Sequence, residues 1–467
     1  MFVEARIRDN VDLSADETKW IQDALEDLLS SPSQTFDLGE DILANQNRAL
    51  LLLGHSHEAV ERKVHSLKVV DYSGPKMGAI CHSSDEVRIK VQTYKLYKTA
   101  ESSEGLHQAE ITPMPHIKFD RQWNELVFEK DFKGGLIRLM ENMLRFSRNP
   151  EKRPELNPLI LIHGPPGTGK TALAQGLAQK ISIRLNRTFK RTKFIQIKTA
   201  AILSRFYSQS ARQVSDIFTA IEEICDEDRE QFVCILIDEV ECIASSRESS
   251  MHGEVQDSLR VTNALLTGLD RTKTHSNIVL LCTSNMPDCL DSAFIDRCGI
   301  KLEVDFPRPP AQYEILRGRV QSLINNRHIV TNTSIPPYRD AKLEFDAEKT
   351  LPGSRLLGIV ALINSVDSAS SERNISGRTL AQLPGKAILC YLEDDECDLE
   401  SAFRFMEKSI LAENEQGMQK RGSETKDMTQ VEREYIGLPG QKEGNERVSK
   451  HGWDVDRVLR SPCSHRN

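Results

Sequence analysis

The octapeptide GPPGTGKT satisfies G-x-x-x-x-G-K-[ST] at every position: Gly164, Pro165, Pro166, Gly167, Thr168, Gly169, Lys170 and Thr171. A loop of this composition turns successive backbone N–H groups toward a phosphate at a helix N-terminus. Gly167 and Gly169 permit the close backbone approach. Lys170 supplies charge for the β- and γ-phosphates, and Thr171 offers a hydroxyl to Mg²⁺. A second cluster, Asp238 and Glu239, closes the apolar run FVCILIDE. Asp238 is expected to hold Mg²⁺, directly or through water, and Glu239 to polarise an attacking water. A third run, NIVLLCTSN, ends in Thr283, Ser284 and Asn285. A polar side chain there would sit between the first two sites and orient water against a γ-phosphate. In DSAFIDR, Arg297 follows a short helical stretch, and suits a finger that reaches a neighbour's nucleotide. The chemistry this spacing predicts is ATP hydrolysis with Mg²⁺.

The elements that must position these groups are legible as well. LILIHG, KFIQIK, FVCILIDE and NIVLLCTSN are continuous apolar runs separated by helical segments. Runs of that kind indicate buried parallel strands in an α/β sheet, whose carboxyl ends bind ligands. The predicted ATPase domain covers about 118–306. Pro307, Pro309 and Pro310 then break the chain, and helical periodicity over 307–416 predicts a small helical lid. Residues 1–115 mix an amphipathic helix, ETKWIQDALEDLL, with an alternating strand, EVRIKVQTYKLYK, and predict an α+β domain. The polar TAESSEGLHQAEITPMP reads as a linker. Residues 417–467, poor in periodic apolar positions, predict a disordered tail.

Bulk composition excludes several function classes. Hydrophobic residues are 39% and charged residues 28% of 467, with net charge −8. No whole-protein basic field for nucleic acid exists. The basic stretch RLNRTFKRTK, with Arg184, Arg187, Lys190, Arg191 and Lys193, reads as a solvated helix end and loop. Direct nucleic-acid binding is not expected. No apolar run approaches the roughly 20 residues of a membrane span, and no N-terminal signal peptide is legible. The ten cysteines show no zinc-binding spacing. Cys234 and Cys282 lie in strand-like runs and are expected to be buried thiols.

P-loop, Walker B pair, Asn285, Arg297 and a helical lid, in this order, resemble an AAA+ ATPase. HGPPGTGKT, ILIDEVE, DSLRVTNALLTGLD, HSNIVLLCTSN, AFIDR and SGRTLAQLP resemble one branch, the pachytene checkpoint AAA+ ATPase family, also called thyroid-receptor-interacting proteins. The resemblance covers about 120–412. It implies Walker A at Lys170 and Thr171, Walker B at Asp238 and Glu239, sensor 1 at Asn285, the finger at Arg297 and sensor 2 at Arg378. Arg378 would reach from the lid to the phosphates and couple lid angle to nucleotide state. Many relatives carry a second arginine close behind the finger, whereas Cys298, Gly299 and Ile300 follow here.

The resemblance also implies the work done. In a homo-hexameric ring, LSRFYSQS would be the first pore loop, with Phe206 and Tyr207 gripping a peptide; packing into the local core is the competing reading. His252 and Gly253 would fall in the second pore loop. The implied substrates are HORMA-domain proteins of the meiotic chromosome axis and the spindle checkpoint, reached with or without a HORMA adaptor. The implied activity is remodelling of these proteins in the meiotic recombination checkpoint and spindle checkpoint. The implied location is the nucleus, on meiotic chromosomes, with the cytoplasm second. Alternatives are a severing or complex-disassembly AAA+ enzyme, and a nucleotide-gated scaffold or loader on chromatin.

Overall fold

Alternate residues of the central strands enter two different cores, which is what a sheet buried on both faces requires. The computed structural model describes residues 1–413 except 32–34, 73–80, 84–86, 100–107, 129–131, 148–156, 203–206, 247–254, 348–349, 366–374 and 394–395. The tail expected over 417–467 lies outside the described residues. Met1–Ile410 form one compact unit.

The strands in chain order are β1 Phe2–Ile7, β2 Thr35–Asp37, β3 Val64–Asp71, β4 Cys81–Ser83, β5 Lys90–Tyr94, β6 Ala109–Met114, β7 Leu159–His163, β8 Arg191–Ile197, β9 Gln231–Ile237, β10 Ile278–Ser284 and β11 Ile300–Glu303. The large sheet has the order β11-β7-β10-β9-β8-β6. β11, β7, β10, β9 and β8 run parallel, and β6 is antiparallel to β8. Leu161, Ile235 and Leu280 face the helices Tyr207–Glu227 and Val255–Thr272. Ile160, Leu236 and Leu281 face the helices Lys133–Ser147 and Lys170–Arg184. Cys234 and Cys282 are free, fully buried thiols within these cores.

A separate core joins the helices Pro309–Asn325, Tyr338–Ala347, Pro352–Asn364 and Gly377–Tyr391 to a helix beginning at residue 399. Proline opens the first and third of these, where its missing N–H costs nothing. A fourth core lies under the sheet β3-β1-β5 and the helix Ala15–Leu29. Ser14 and Glu17 start that helix with a reciprocal capping box. Among the described residues no helix is long and apolar enough to cross a membrane.

Two expectations are corrected here. The segment read as a linker at the end of the N-terminal domain contains β6, whose Ala109–Met114 pair with Ile197–Thr192 of the ATPase sheet. Pro113 disguised it. A proline is tolerated on an edge strand because one side of that backbone has no ladder partner. The basic stretch is solvated at Lys190 and Arg191 but not at its start. Arg184 is only 5% exposed, pairs with Asp71 at 3.1 Å and lies 3.5 Å over the Phe2 ring. Arg187 pairs with Glu26 at 2.7 Å, and Lys180 with the buried Glu4 at 2.6 Å. These basic side chains fasten β1, β3 and the helix Ala15–Leu29 to the far end of the helix that begins at Lys170. Their partners are distant in sequence, so a local charge count could not find them.

Candidate nucleotide site

β7 delivers the chain to the P-loop at its carboxyl end. Gly164 has φ +141°, and a Cβ there would stand 2.2 Å from the Val304 carbonyl oxygen. Gly167 and Gly169 have φ +76° and +95°, a region that favours glycine. Gly169 is the N-cap of the helix Lys170–Arg184, so the loop turns the first N–H groups of that helix outward. Lys170 is buried, and its Nζ donates to the carbonyls of Gly164 at 2.8 Å and Pro165 at 2.7 Å. Burial pushes its ammonium below the ordinary lysine value, while the carboxylates of Glu241 and Asp238 oppose that shift.

β9 is buried along its whole length and ends just before Asp238. The Thr171 hydroxyl donates to Asp238 Oδ1 at 2.7 Å, and the Thr283 hydroxyl donates to the same oxygen. Thr199 donates to the Asp238 carbonyl at 3.0 Å. Glu239 then adopts a left-handed conformation, φ +53° and ψ +55°. Its N–H donates to Thr283 Oγ1 at 3.1 Å. Glutamate pays about 1 kcal/mol or more for this backbone, so the local fold must hold it there. β10 lies between β7 and β9, which brings Asn285 between the P-loop and Asp238–Glu239, as its order in the sequence predicts. The Asn285 N–H donates to Glu241 Oε1 at 3.0 Å.

The lid closes the other side. A cleft of about 1000 Å³ is lined by Lys170, Thr171, Asp238, Glu239, Asn285 and, from the lid, Arg378. The Arg378 N–H donates to the Gly167 carbonyl at 3.0 Å. A Cβ on Gly167 would stand 2.7 Å from Ser376 Oγ, so only glycine lets the lid approach this closely. Also lining the cleft, Arg319 of the lid pairs with Glu125 at 3.1 Å.

Arg297 does not line this cleft. It ends the helix Ser292–Arg297 and forks onto Asp270, with Nε and Nη2 at 3.0 and 2.8 Å from the two carboxylate oxygens. That bond draws the Asp270 carboxyl below its usual range. Phe206, His252 and Gly253 lie outside the described residues. Tyr207, expected in the same loop as Phe206, is the first residue of the helix Tyr207–Glu227.

Sequence reasoning missed the segment Arg121–Val127 and the lid residues Arg317 and Arg319 at the cleft, and Glu241, which holds the Asn285 N–H. Thr283 was visible as a polar strand end, but its bond to Asp238 was not. Glu241 stood in plain sight within ILIDEVE. Arg121–Val127 carries no motif, and only the fold brings it to the cleft.

Residues 160–306 match the family model for the ATPase family associated with various cellular activities (AAA). The pachytene checkpoint protein 2 homolog of Mus musculus is 31% identical over 372 residues, 78% of this chain and 84% of that protein. The homolog of Arabidopsis thaliana is 36% identical over 280 residues, 58% of this chain, and the match spans 59% of that protein, under two thirds of its length. Among solved structures, C. elegans PCH-2 superposes with a TM-score of 0.68 at 24% identity, over 88% of this chain and 98% of that one. A chain solved in an E. coli MS115-1 HORMA:CdnC:Trip13 complex shares the fold with a TM-score of 0.51 at 18% identity, over 67% of this chain and 97% of that one. The α/β core with its helical lid is thus an AAA+ fold, the cleft is that of a nucleotide-binding ATPase, and the chain belongs to the pachytene checkpoint protein 2 family.

Proposed function

We propose that this ATPase is a ring-forming remodeller of HORMA-domain proteins, with the meiotic recombination checkpoint, the chromosome axis and the spindle checkpoint as its settings. The observation that carries the reading is the assembled cleft together with an arginine that stands outside it. Lys170 meets the β- and γ-phosphates of ATP, and the outward N–H groups of the loop hold the rest of the chain of phosphates. The Thr171 hydroxyl and the Asp238 carboxylate, 2.7 Å apart, form a hard-oxygen pair suited to Mg²⁺. When bound, Mg²⁺ supplies charge neutralisation at the β- and γ-oxygens. Glu239 polarises the attacking water, Asn285 orients it, and Arg378 ties lid position to the phosphates. The family's name supports the checkpoint setting, and a similarly folded chain solved in a complex with a HORMA protein supports the substrate class. The nucleus is the proposed location, with the cytoplasm second.

The ring reading rests on Arg297. Its guanidinium serves a neighbour's nucleotide, and a homo-hexamer supplies that neighbour. Arg297→Ala is expected to leave nucleotide binding intact and to lower hydrolysis by roughly 10³-fold, the size of an arginine-finger effect. In mixed assemblies it should impair the adjacent wild-type site, whereas Glu239→Gln impairs its own. An effect confined to the mutated subunit places the finger elsewhere.

Remodelling itself is tested at the pore. The Phe206→Ala/Tyr207→Ala variant is expected to hydrolyse ATP near the wild-type rate yet fail to convert a closed HORMA protein to its open form. Two core aromatics would instead cost roughly 3–5 kcal/mol each. A large fall in melting temperature with lost ATPase activity would therefore defeat the pore assignment.

A further inference from the structure

The ladder between β9 and β10 ends at the pair Ile237 and Cys282. Beyond it the strands part, and side chains take over the pairing. Thr283 Oγ1 accepts the Glu239 N–H at 3.1 Å, and Glu241 Oε1 accepts the Asn285 N–H at 3.0 Å. The left-handed turn at Glu239 and the single 3₁₀ turn Val240–Cys242 are what bring Glu241 back to the end of β10. Glu241 Oε2 is buried and has no hydrogen-bond partner among the described residues. An uncompensated buried carboxylate oxygen is costly.

We infer that Glu241 is a positioning residue for hydrolysis: by holding the Asn285 backbone it sets the distance between Asn285 and Glu239 across the reacting water. This rests on the proposed placing of Asn285 against the terminal phosphate. Glu241 touches neither water nor nucleotide in this role. Its influence runs through one hydrogen bond at the point where two strands diverge, where the sheet itself no longer fixes their spacing.

The experiment compares Glu241→Met, Glu241→Asp and Glu241→Gln in the full chain, alone and combined with Asn285→Ala. Methionine keeps the volume and removes both oxygens. Aspartate keeps the charge but withdraws the oxygen by one methylene. Glutamine keeps an acceptor oxygen at the right length. Steady-state ATPase kinetics, binding of a slowly hydrolysed ATP analogue and melting temperature are read on each. Methionine and aspartate should lower kcat roughly tenfold, the worth of one well-placed hydrogen bond, with KM and analogue affinity within about threefold of wild type. Glutamine should recover most of kcat, a rescue that a loss of charge would not allow. Glu241→Met/Asn285→Ala should fall no further than the worse single variant, because both act through one group. If methionine fails to fold, aspartate carries the same comparison.

The inference is overturned if kcat stays within about twofold, if only KM moves, if glutamine is as impaired as methionine, or if the two losses multiply. Asn285→Ala separates the two levels of the argument. If it leaves kcat unchanged, the placing of Asn285 fails and the route through it falls too. If it lowers kcat while the Glu241 variants do not, only the role of Glu241 fails.

Discussion

Glu239→Gln is expected to slow ATP hydrolysis by about 10²–10³-fold while leaving ATP binding and assembly intact, the range that loss of a positioned base produces. The expectation rests on geometry. Glu239 lies at the cleft, one residue beyond Asp238, with its backbone in the left-handed region. Thr283 holds its N–H, and the Thr283 hydroxyl donates to Asp238 in turn. Glutamine keeps the length of the side chain and the same backbone demands, so the turn should survive. What is lost is the negative charge that draws a proton from water. Single-turnover hydrolysis separates this from product release, and equilibrium binding of ATP checks the cradle. Hydrolysis near the wild-type rate would remove Glu239 from the chemistry and leave its strained backbone to be explained by packing.

Lys170→Ala should fail earlier, at binding. The ammonium is buried and bonds two loop carbonyls, Gly164 and Pro165. It is thus held at the phosphate cradle before any nucleotide arrives. Charge-assisted hydrogen bonds contribute roughly 1.5–3 kcal/mol each, so losing a pair of them to phosphate should weaken ATP binding by about 100-fold or more. The two carbonyls also lose their donor, which should loosen the loop. Titration with a fluorescent nucleotide measures the affinity. Wild-type affinity in this variant would mean that another cation meets the phosphates, and Arg378, which also lines the cleft, would be the first to test.

The two variants probe the parts of the site that were most legible before any coordinates. A P-loop is a local object. Its glycines permit the positive φ that Gly164, Gly167 and Gly169 adopt, and its helix follows at once in the chain. Walker B is nearly as local, because an apolar strand that ends in two carboxylates needs only a sheet to lie in. The order of the strands placed Asn285 correctly for the same reason: each run is long, apolar and separated by a helix, which leaves few ways to wind a parallel sheet.

What tertiary structure alone decided is the company these residues keep. Periodicity assigned the helix Ala15–Leu29 to an N-terminal domain, but nothing local said that Glu4, Glu26 and Asp71 would grip Lys180, Arg187 and Arg184 at the end of the P-loop helix. A charge that is buried and one that is solvated look the same in a string of letters. The strand β6 hid behind a proline because its pairing depends on being an edge, which is a property of the sheet. The stitching of Thr283 to Asp238 and of Glu241 to Asn285 exists only where two strands part company. The sequence therefore determined the phosphate chemistry and the winding of the sheet, since both follow from backbone conformations and apolar runs that are set within short stretches. The spacing of the polar groups at the cleft and the attachment of the N-terminal domain were decided by contacts between residues from 44 to 176 positions apart, which only the folded chain brings within bonding distance.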